Sequence, residues 1–255
     1  MNEAKPLVIM PCMDMVEGRV VKGVNFVDIK DAGDPVECCK AYCAAGADEI
    51  AMLDITATVE GRKTMLETVR KVAESTTVPF TMGGGISSLQ AAEAVLAAGA
   101  DKISTSSAVF RNPGMIGELV KEFGAGKVTV AIDVAQNAAM QSGYEVYIDG
   151  GRTATGADAI EWTKKVADSG VATILPTSKS TDGVRTGYDL PLIRKIRAVT
   201  SADIVASGGA GTMEHFAEAV EAGATVLLAA SVFHFHIIDI PELKAFLKAR
   251  GFAVR

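Results

Sequence analysis

A glycine-terminated β–α–β unit occurs twice in this chain at a fixed offset, and that repetition limits what the chain can fold into. Ile204-Val205-Ala206-Ser207-Gly208-Gly209-Ala210-Gly211 is a short β-branched run that stops at a glycine cluster. It reads as a buried parallel strand leaving its sheet. A helix-like segment follows to Gly223, and then Val226-Leu227-Leu228-Ala229-Ala230-Ser231, a second buried strand ending in small residues. Val78-Pro79-Phe80-Thr81-Met82-Gly83-Gly84-Gly85 and Gly99 through Ser106-Ser107 show the same order earlier in the chain. Gly84 recurs as Gly208 and Gly99 as Gly223, both 124 residues on. Two more landmarks repeat at a similar distance. Met10 to Asp14 and Val130 to Asp133 both end in aspartate, and Ala51 to Thr56 is echoed by Ala172 to Thr177. The repeat is far longer than a solenoid period. It describes two halves of one design.

The chain in order supplies eight strands alternating with eight helices. The strands are Leu7–Asp14, Ile50–Asp54, a run ending at Gly83–Gly85, Lys102 to about Ser106, Val128–Asp133, a run ending near Thr177-Ser178, and the two described first. Asp34-Pro35 is an N-cap with proline at the first helical position, opening a helix through Ala45. Ser87-Ser88 caps a helix to Ala98, and Asn112-Pro113 opens one reaching Phe123. Other helices are predicted over Gly61–Thr76, from Thr155-Gly156-Ala157-Asp158 onward, and over Asp189–Val199, Met213–Ala222 and Pro241–Arg250. Val24–Gly33 and Lys179–Gly187 read as long polar connections. Tyr144–Ile148 followed by Asp149-Gly150-Gly151 reads as a β-hairpin inserted after the fifth strand. Such alternation predicts a parallel sheet. Closing it removes both edges, so residues 1–255 are expected to form one (β/α)₈ TIM barrel domain with an internal half-barrel repeat.

Composition excludes several classes. A net charge of −6 argues against a nucleic-acid footprint. No apolar run spans a membrane and the N-terminus lacks signal-peptide character, so a soluble cytoplasmic protein is expected. Cys12, Cys38, Cys39 and Cys43 have no matching Cys or His cluster elsewhere, so buried free thiols are expected rather than a metal site.

Active sites of such barrels lie at the C-terminal ends of the strands. That places Asp14, Asp54, Gly83–Gly85, Ser106, Ser107, Asp133, Thr177, Ser207, Gly208, Gly209 and Ser231 on one rim. Asp14 and Asp133, on strands one and five, face each other across the mouth. Two such carboxylates can divide acid and base roles. Either one alone reads better as a helix cap or a hydrogen bond to a loop; it is the repeated placement that favours chemistry. Glycine lets backbone N–H groups approach an anion, so the two glycine clusters make two phosphate cups half the rim apart. The competing reading is two tight turns with no ligand. Lys22 could grip a phosphate, although a lone lysine is ordinarily a solvated surface group. These residues imply a substrate with two phosphates and acid–base chemistry at its middle.

At full length the chain resembles the cyclase subunit family of imidazole glycerol phosphate synthase, from histidine biosynthesis. The resemblance is carried by Cys12-Met13-Asp14 with Gly18–Gly23, by Gly33–Glu37 and Leu53–Ala57, and by Gly83–Ile86 and Val130–Asp133. Ala206–Gly211 with Glu214-His215-Phe216, and Ala229–Phe235, complete it. The resemblance implies a glutaminase partner in a heterodimer, whose ammonia crosses the barrel to reach a phosphoribulosyl-formimino aminoimidazole carboxamide ribotide. The products would be imidazole glycerol phosphate and an aminoimidazole carboxamide ribotide. It implies Asp14 and Asp133 as the acid–base pair and Lys22 in a loop closing over substrate. Gly84, Ser107, Asp182, Gly183, Gly209, Ala230 and Ser231 would hold phosphates and hydroxyls, and no metal or redox cofactor is implied.

This chain departs from the family pattern in places. Ser106-Ser107 stands for Asn-Thr, Pro176 for leucine, and Ser178–Val184 for Ser-Ile-Asp-Arg-Asp-Gly-Thr. Glu49 and Lys102 match the family's ring of four charges at the ammonia entrance, but Val8 and Thr173 replace its arginine and glutamate. That loss of one charge of each sign fits a more open entrance and a differing partner. The alternatives are a related two-phosphate barrel enzyme (the sister isomerase or an ammonia-using paralogue) and a noncatalytic glutaminase-activating subunit.

Overall fold

The computed structural model describes residues 5–24, 27–55 and 61–255, without the side chains of 22–24, 27–30 and 61–64. Thr56, Ala57 and the Lys22 side chain therefore lie outside the described residues. The strands are β1 (Val8–Val16), β2 (Arg19–Val24), β3 (Val27–Gly33), β4 (Ile50–Asp54), β5 (Phe80–Gly83) and β6 (Lys102–Thr105). They continue as β7 (Val128–Gln136), β8 (Tyr144–Ile148), β9 (Thr153–Asp158), β10 (Thr173–Ser178), β11 (Asp203–Ala206) and β12 (Val226–Ala229). The helices are α1 (Pro35–Ala44), α2 (Gly61–Ala73), α3 (Leu89–Ala97), α4 (Ser107–Arg111) and α5 (Gly114–Phe123). After them come α6 (Ala159–Asp168), α7 (Leu190–Arg197), α8 (Met213–Glu221), α9 (Ser231–His234) and α10 (Ile240–Ala249).

Among the described residues, eight parallel strands close in the ring order β1-β4-β5-β6-β7-β10-β11-β12. The expected (β/α)₈ barrel is what forms. The ring closes at two seams: β7 pairs with β10 across the intervening insertion, and the last strand, β12, pairs with the first, β1. The first seam runs from Thr173 opposite Thr129 to Ser178 opposite Val134. The second runs from Val8 opposite Val226 to Pro11 opposite Ala229. Strand alternation sorts the apolar residues into two cores. Val8, Met10, Ala51, Leu175, Val205 and Leu228 fill the barrel. Ile9, Phe80, Ile103, Val130, Ile174 and Leu227 face outward and pack against the helices.

Local chemistry sets several helix starts. Asp34 Oδ1 accepts from the N–H groups of Val36 and Glu37, with Pro35 at the first helical position. Ser88 Oγ accepts from the Ala91 N–H at α3. Nδ1 of His215 accepts from the N–H groups of Gly211 and Thr212, which closes the start of α8.

Three expectations change. The described residues of the connection expected over Val24–Gly33 are strand: Val24 ends β2, Val27–Gly33 is β3, and the two pair antiparallel as a ribbon on β1. The insertion after the fifth strand is a three-stranded meander, because β7 runs on to Gln136, β8 pairs with it, and β9 pairs with β8. Thr155–Ala157 thus belongs to a strand, and the helix starts later, with Asp158 Oδ1 accepting from Ile160 and Glu161 N–H. Of the four free thiols, Cys12 and Cys39 are buried while Cys38 and Cys43 are half-buried. No helix among the described residues is long and apolar enough to cross a membrane.

Phe216 of α8 is fully buried and packs against Tyr188 and Phe233, both ring centroids at 5.7 Å. Phe216→Ala should destabilise the protein by about 3–5 kcal/mol in urea denaturation, through lost burial and the cavity left behind. A loss below about 1 kcal/mol would show that this aromatic cluster does not hold the last helices on the barrel.

Candidate active site

Strands β1 and β7 have three strands between them either way round the ring, so Asp14 and Asp133 stand diametrically opposed. Asp14 lies opposite Leu53 of β4, and Asp133 opposite Thr177 of β10, equivalent places in the two halves. Both aspartates line a cavity of about 180 Å³ at the C-terminal mouth. The Cys12 thiol lies 3.8 Å from Asp14 Oδ1.

Asp133 keeps only a small exposed face, toward the cavity. Burial pushes its pKa from 3.8 up to about 6, and the Asp182 carboxylate pushes the same way. The Lys179 ammonium and the Gly151 backbone N–H oppose that rise. Lys179 also sits 3.9 Å from the centre of the Tyr147 ring and donates to the Gly151 carbonyl. Its backbone N–H donates to Val134 O at 2.9 Å. The insertion and the loop after β10 are thus fastened together beside Asp133.

The second-half cup opens into this mouth. Ser207, Gly208 and Gly209 at the end of β11, and Ala230 and Ser231 after β12, line the cavity with Thr177, Asp182 and Gly183. Thr177 Oγ1 donates to Ser207 Oγ at 3.2 Å. Glycine is needed here for packing as well as for any ligand. A Cβ on Gly209, whose φ is +108°, would stand 2.1 Å from Gly187 O. One on Gly208 would press on Asp182 at 3.2 Å. The residue-179–187 loop lies directly on the cup, with Thr181 Oγ1 donating to Gly208 O at 3.2 Å.

Gly84, Ser106 and Ser107 sit at the ends of β5 and β6, opposite β11 and β12 in the ring, but they do not line the mouth cavity. Gly84 has φ +99°, and a Cβ there would overlap Asp54 O at 2.2 Å. Ser107 Oγ accepts from the Asp149 N–H at 2.8 Å, while the Asp149 carboxylate receives both its oxygens' contacts from Arg111. The first cup is therefore braced by the insertion's turn.

At the opposite end, a cavity of about 240 Å³ is lined by Glu49, Lys102, Val8 and Thr173. Lys102 Nζ pairs with buried Glu49 at 2.7 Å. Lys5, Asp203 and Arg255 line the same cavity, Lys5 pairing with Asp203 and Arg255 approaching Glu49 at 3.5 Å. These charges stand around the positions where Val8 and Thr173 bring none. Leu53 lines both cavities, so its side chain stands between floor and mouth.

The profile described as Histidine biosynthesis protein matches residues 8–239. The chain belongs to that family. A relative from Wolinella succinogenes, named imidazole glycerol phosphate synthase subunit HisF, is 50% identical over 247 residues, covering 97% of each chain. One of the same name from Salinispora tropica is 48% identical over 249 residues, covering 97% of this chain and 98% of its own. The motif resemblance is thus borne out at the level of family.

Residue patterns alone did not single out Lys179 and Arg185 at the mouth, or Lys5, Asp203 and Arg255 at the floor. A lone charge in a polar loop or near a terminus carries no periodic signal. The one available cue was the unusual length of the residue-179–187 connection.

Raising a buried carboxylate's pKa has a stability consequence. Well below pH 4, Asp133 is protonated in both folded and unfolded states. As pH rises toward about 6 the unfolded chain releases its proton first, so the folded state loses stability, on the order of 2–3 kcal/mol by neutral pH. Asp133→Asn should therefore be more stable than wild type at pH 7.5, by up to about that amount, with the gap closing by pH 4. Urea titrations at both pH values would measure it, and a gap independent of pH would contradict the shift.

Proposed function

We infer that this chain is the cyclase subunit of an imidazole glycerol phosphate synthase and that its whole length, 1–255, serves as one catalytic barrel. The carrying observation is 50% and 48% identity, over 97% of this chain, to two subunits of that name, in a barrel that sets Asp14 and Asp133 across one cavity. On this reading the enzyme is a lyase. It joins ammonia to a phosphoribulosyl-formimino aminoimidazole carboxamide ribotide, closes the imidazole ring and releases an aminoimidazole carboxamide ribotide.

The geometry supports a division of labour. One phosphate would rest at Ser207, Gly208, Gly209, Ala230 and Ser231, the other at Gly84, Ser106 and Ser107 across the ring. Holding both ends leaves the reacting centre over the barrel axis, which replaces a search with a fixed orientation. Asp133, with its pKa near 6, can both hold and release a proton close to neutral pH. Asp14 would exchange protons from the opposite side. Thr177, Asp182 and Gly183 line the wall between and would meet substrate hydroxyls.

Ammonia would come from a glutaminase partner seated on the N-terminal face. Glu49 and Lys102 would stand at its entrance, with Arg255, Lys5 and Asp203 beside them. The interior packed by Met10, Ala51, Leu175, Val205 and Leu228 would admit neutral ammonia and reject ammonium, because an unpaired ion gains nothing from apolar walls.

Turnover of the phosphoribulosyl-formimino substrate with an ammonium salt tests this without a partner. Wild type should consume it, while Asp14→Asn and Asp133→Asn should each be slower by about 10²–10⁴-fold. A folded wild type with no turnover would sink the cyclase reading and favour the paralogue or the glutaminase-activating scaffold.

A further inference from the structure

We propose that Arg185 is a cationic ligand of the phosphate held in the second-half cup, positioned by a strained backbone that the neighbouring turn is shaped to receive. This rests on reading that cup as an anion site. Arg185 lines the mouth cavity together with Gly209, Ala230 and Ser231. Its Nε donates to Ser231 Oγ at 3.2 Å, so the guanidinium lies at the rim of the cup. The exposed Phe235 ring stands beneath it, its centroid 5.9 Å from the Arg185 Cζ. An aromatic face at that distance favours a cation and limits its wandering.

The backbone at this point is unusual. Arg185 has φ +61°, the left-handed region that a side chain other than glycine or asparagine rarely adopts. Such strain persists only where surroundings over-determine it. Here they do: Gly211 lies so close beneath that a Cβ on it would come within 2.1 Å of Arg185 O. Gly187 N–H donates to Gly209 O at 2.8 Å, which ties the far end of the loop to the same turn. The turn after β11 thus has glycine where the loop carrying Arg185 comes down on it. A planar guanidinium presents five N–H donors and pairs with phosphate through two of them at once. A lysine or a neutral donor cannot match that fork.

The experiment follows the amides of Gly209, Ala230 and Ser231 by NMR during titration with inorganic phosphate, for wild type, Arg185→Gln and Arg185→Lys. Wild-type amides should shift. Arg185→Gln should weaken the apparent Kd about tenfold or more, and Arg185→Lys should fall between. In ammonium-driven turnover, KM for the two-phosphate substrate should rise in Arg185→Gln by a similar factor, with kcat within about threefold, since ground state and transition state carry the same phosphate. Equal phosphate affinity in all three proteins would overturn the assignment while leaving the cup intact. Wild-type amides indifferent to phosphate would overturn the cup as well, and an unchanged KM in Arg185→Gln would overturn the role of Arg185 in substrate binding.

Discussion

The pairing of β7 with β10 is the interaction on which the rest depends. Six consecutive partners, Thr173–Ser178 against Thr129–Val134, join the middle strand of the chain to the next strand of its own half. Without that seam the sheet would leave an open edge. With it, Asp133 is brought level with Thr177, and the loop leaving β10 must emerge beside the carboxylate. The opposite placement of Asp14 follows from ring order alone, because four strands of each half make up the circle.

What hangs on this seam is a buried polar junction. Asp189, buried at the start of α7, receives the Tyr144 hydroxyl on Oδ1 and the Ser178 hydroxyl on Oδ2, both at 2.8 Å, and the Leu192 N–H at 3.1 Å. It therefore joins the insertion, the end of β10 and a helix cap. Each of those groups would be costly to bury alone. The residue-179–187 loop is pinned at both ends: by this junction and Lys179 on one side, and by Gly187 against Gly209 on the other. The fold thus spends polar contacts to hold a long connection still over the mouth.

The electrostatics of the mouth come from the same arrangement. Asp133 is surrounded by protein because the insertion and the loop close over it, and Asp182 on that loop adds a like charge. Lys179, from the same loop, moderates the rise. A group poised to exchange protons near neutral pH is thereby produced by packing, with no special residue type.

The sequence by itself determined the parallel strands, their aspartate and glycine ends, and the two-fold repeat. These are local signals: β-branched runs stopping at glycine, and caps such as Asp34-Pro35 that act over three residues. It also carried the family motifs. Only tertiary structure decided the rest. Thr155–Ala157 looks helical until β8 offers it a partner, and Val27–Gly33 looks like loop until β2 pairs with it, because strand pairing is a non-local choice. Arg185 is one polar residue in a polar loop until the loop folds onto Gly211 and sets it beside Ser231. Whether each glycine serves a ligand or a close backbone approach is likewise settled by neighbours far away in the chain, such as Gly187 over Gly209.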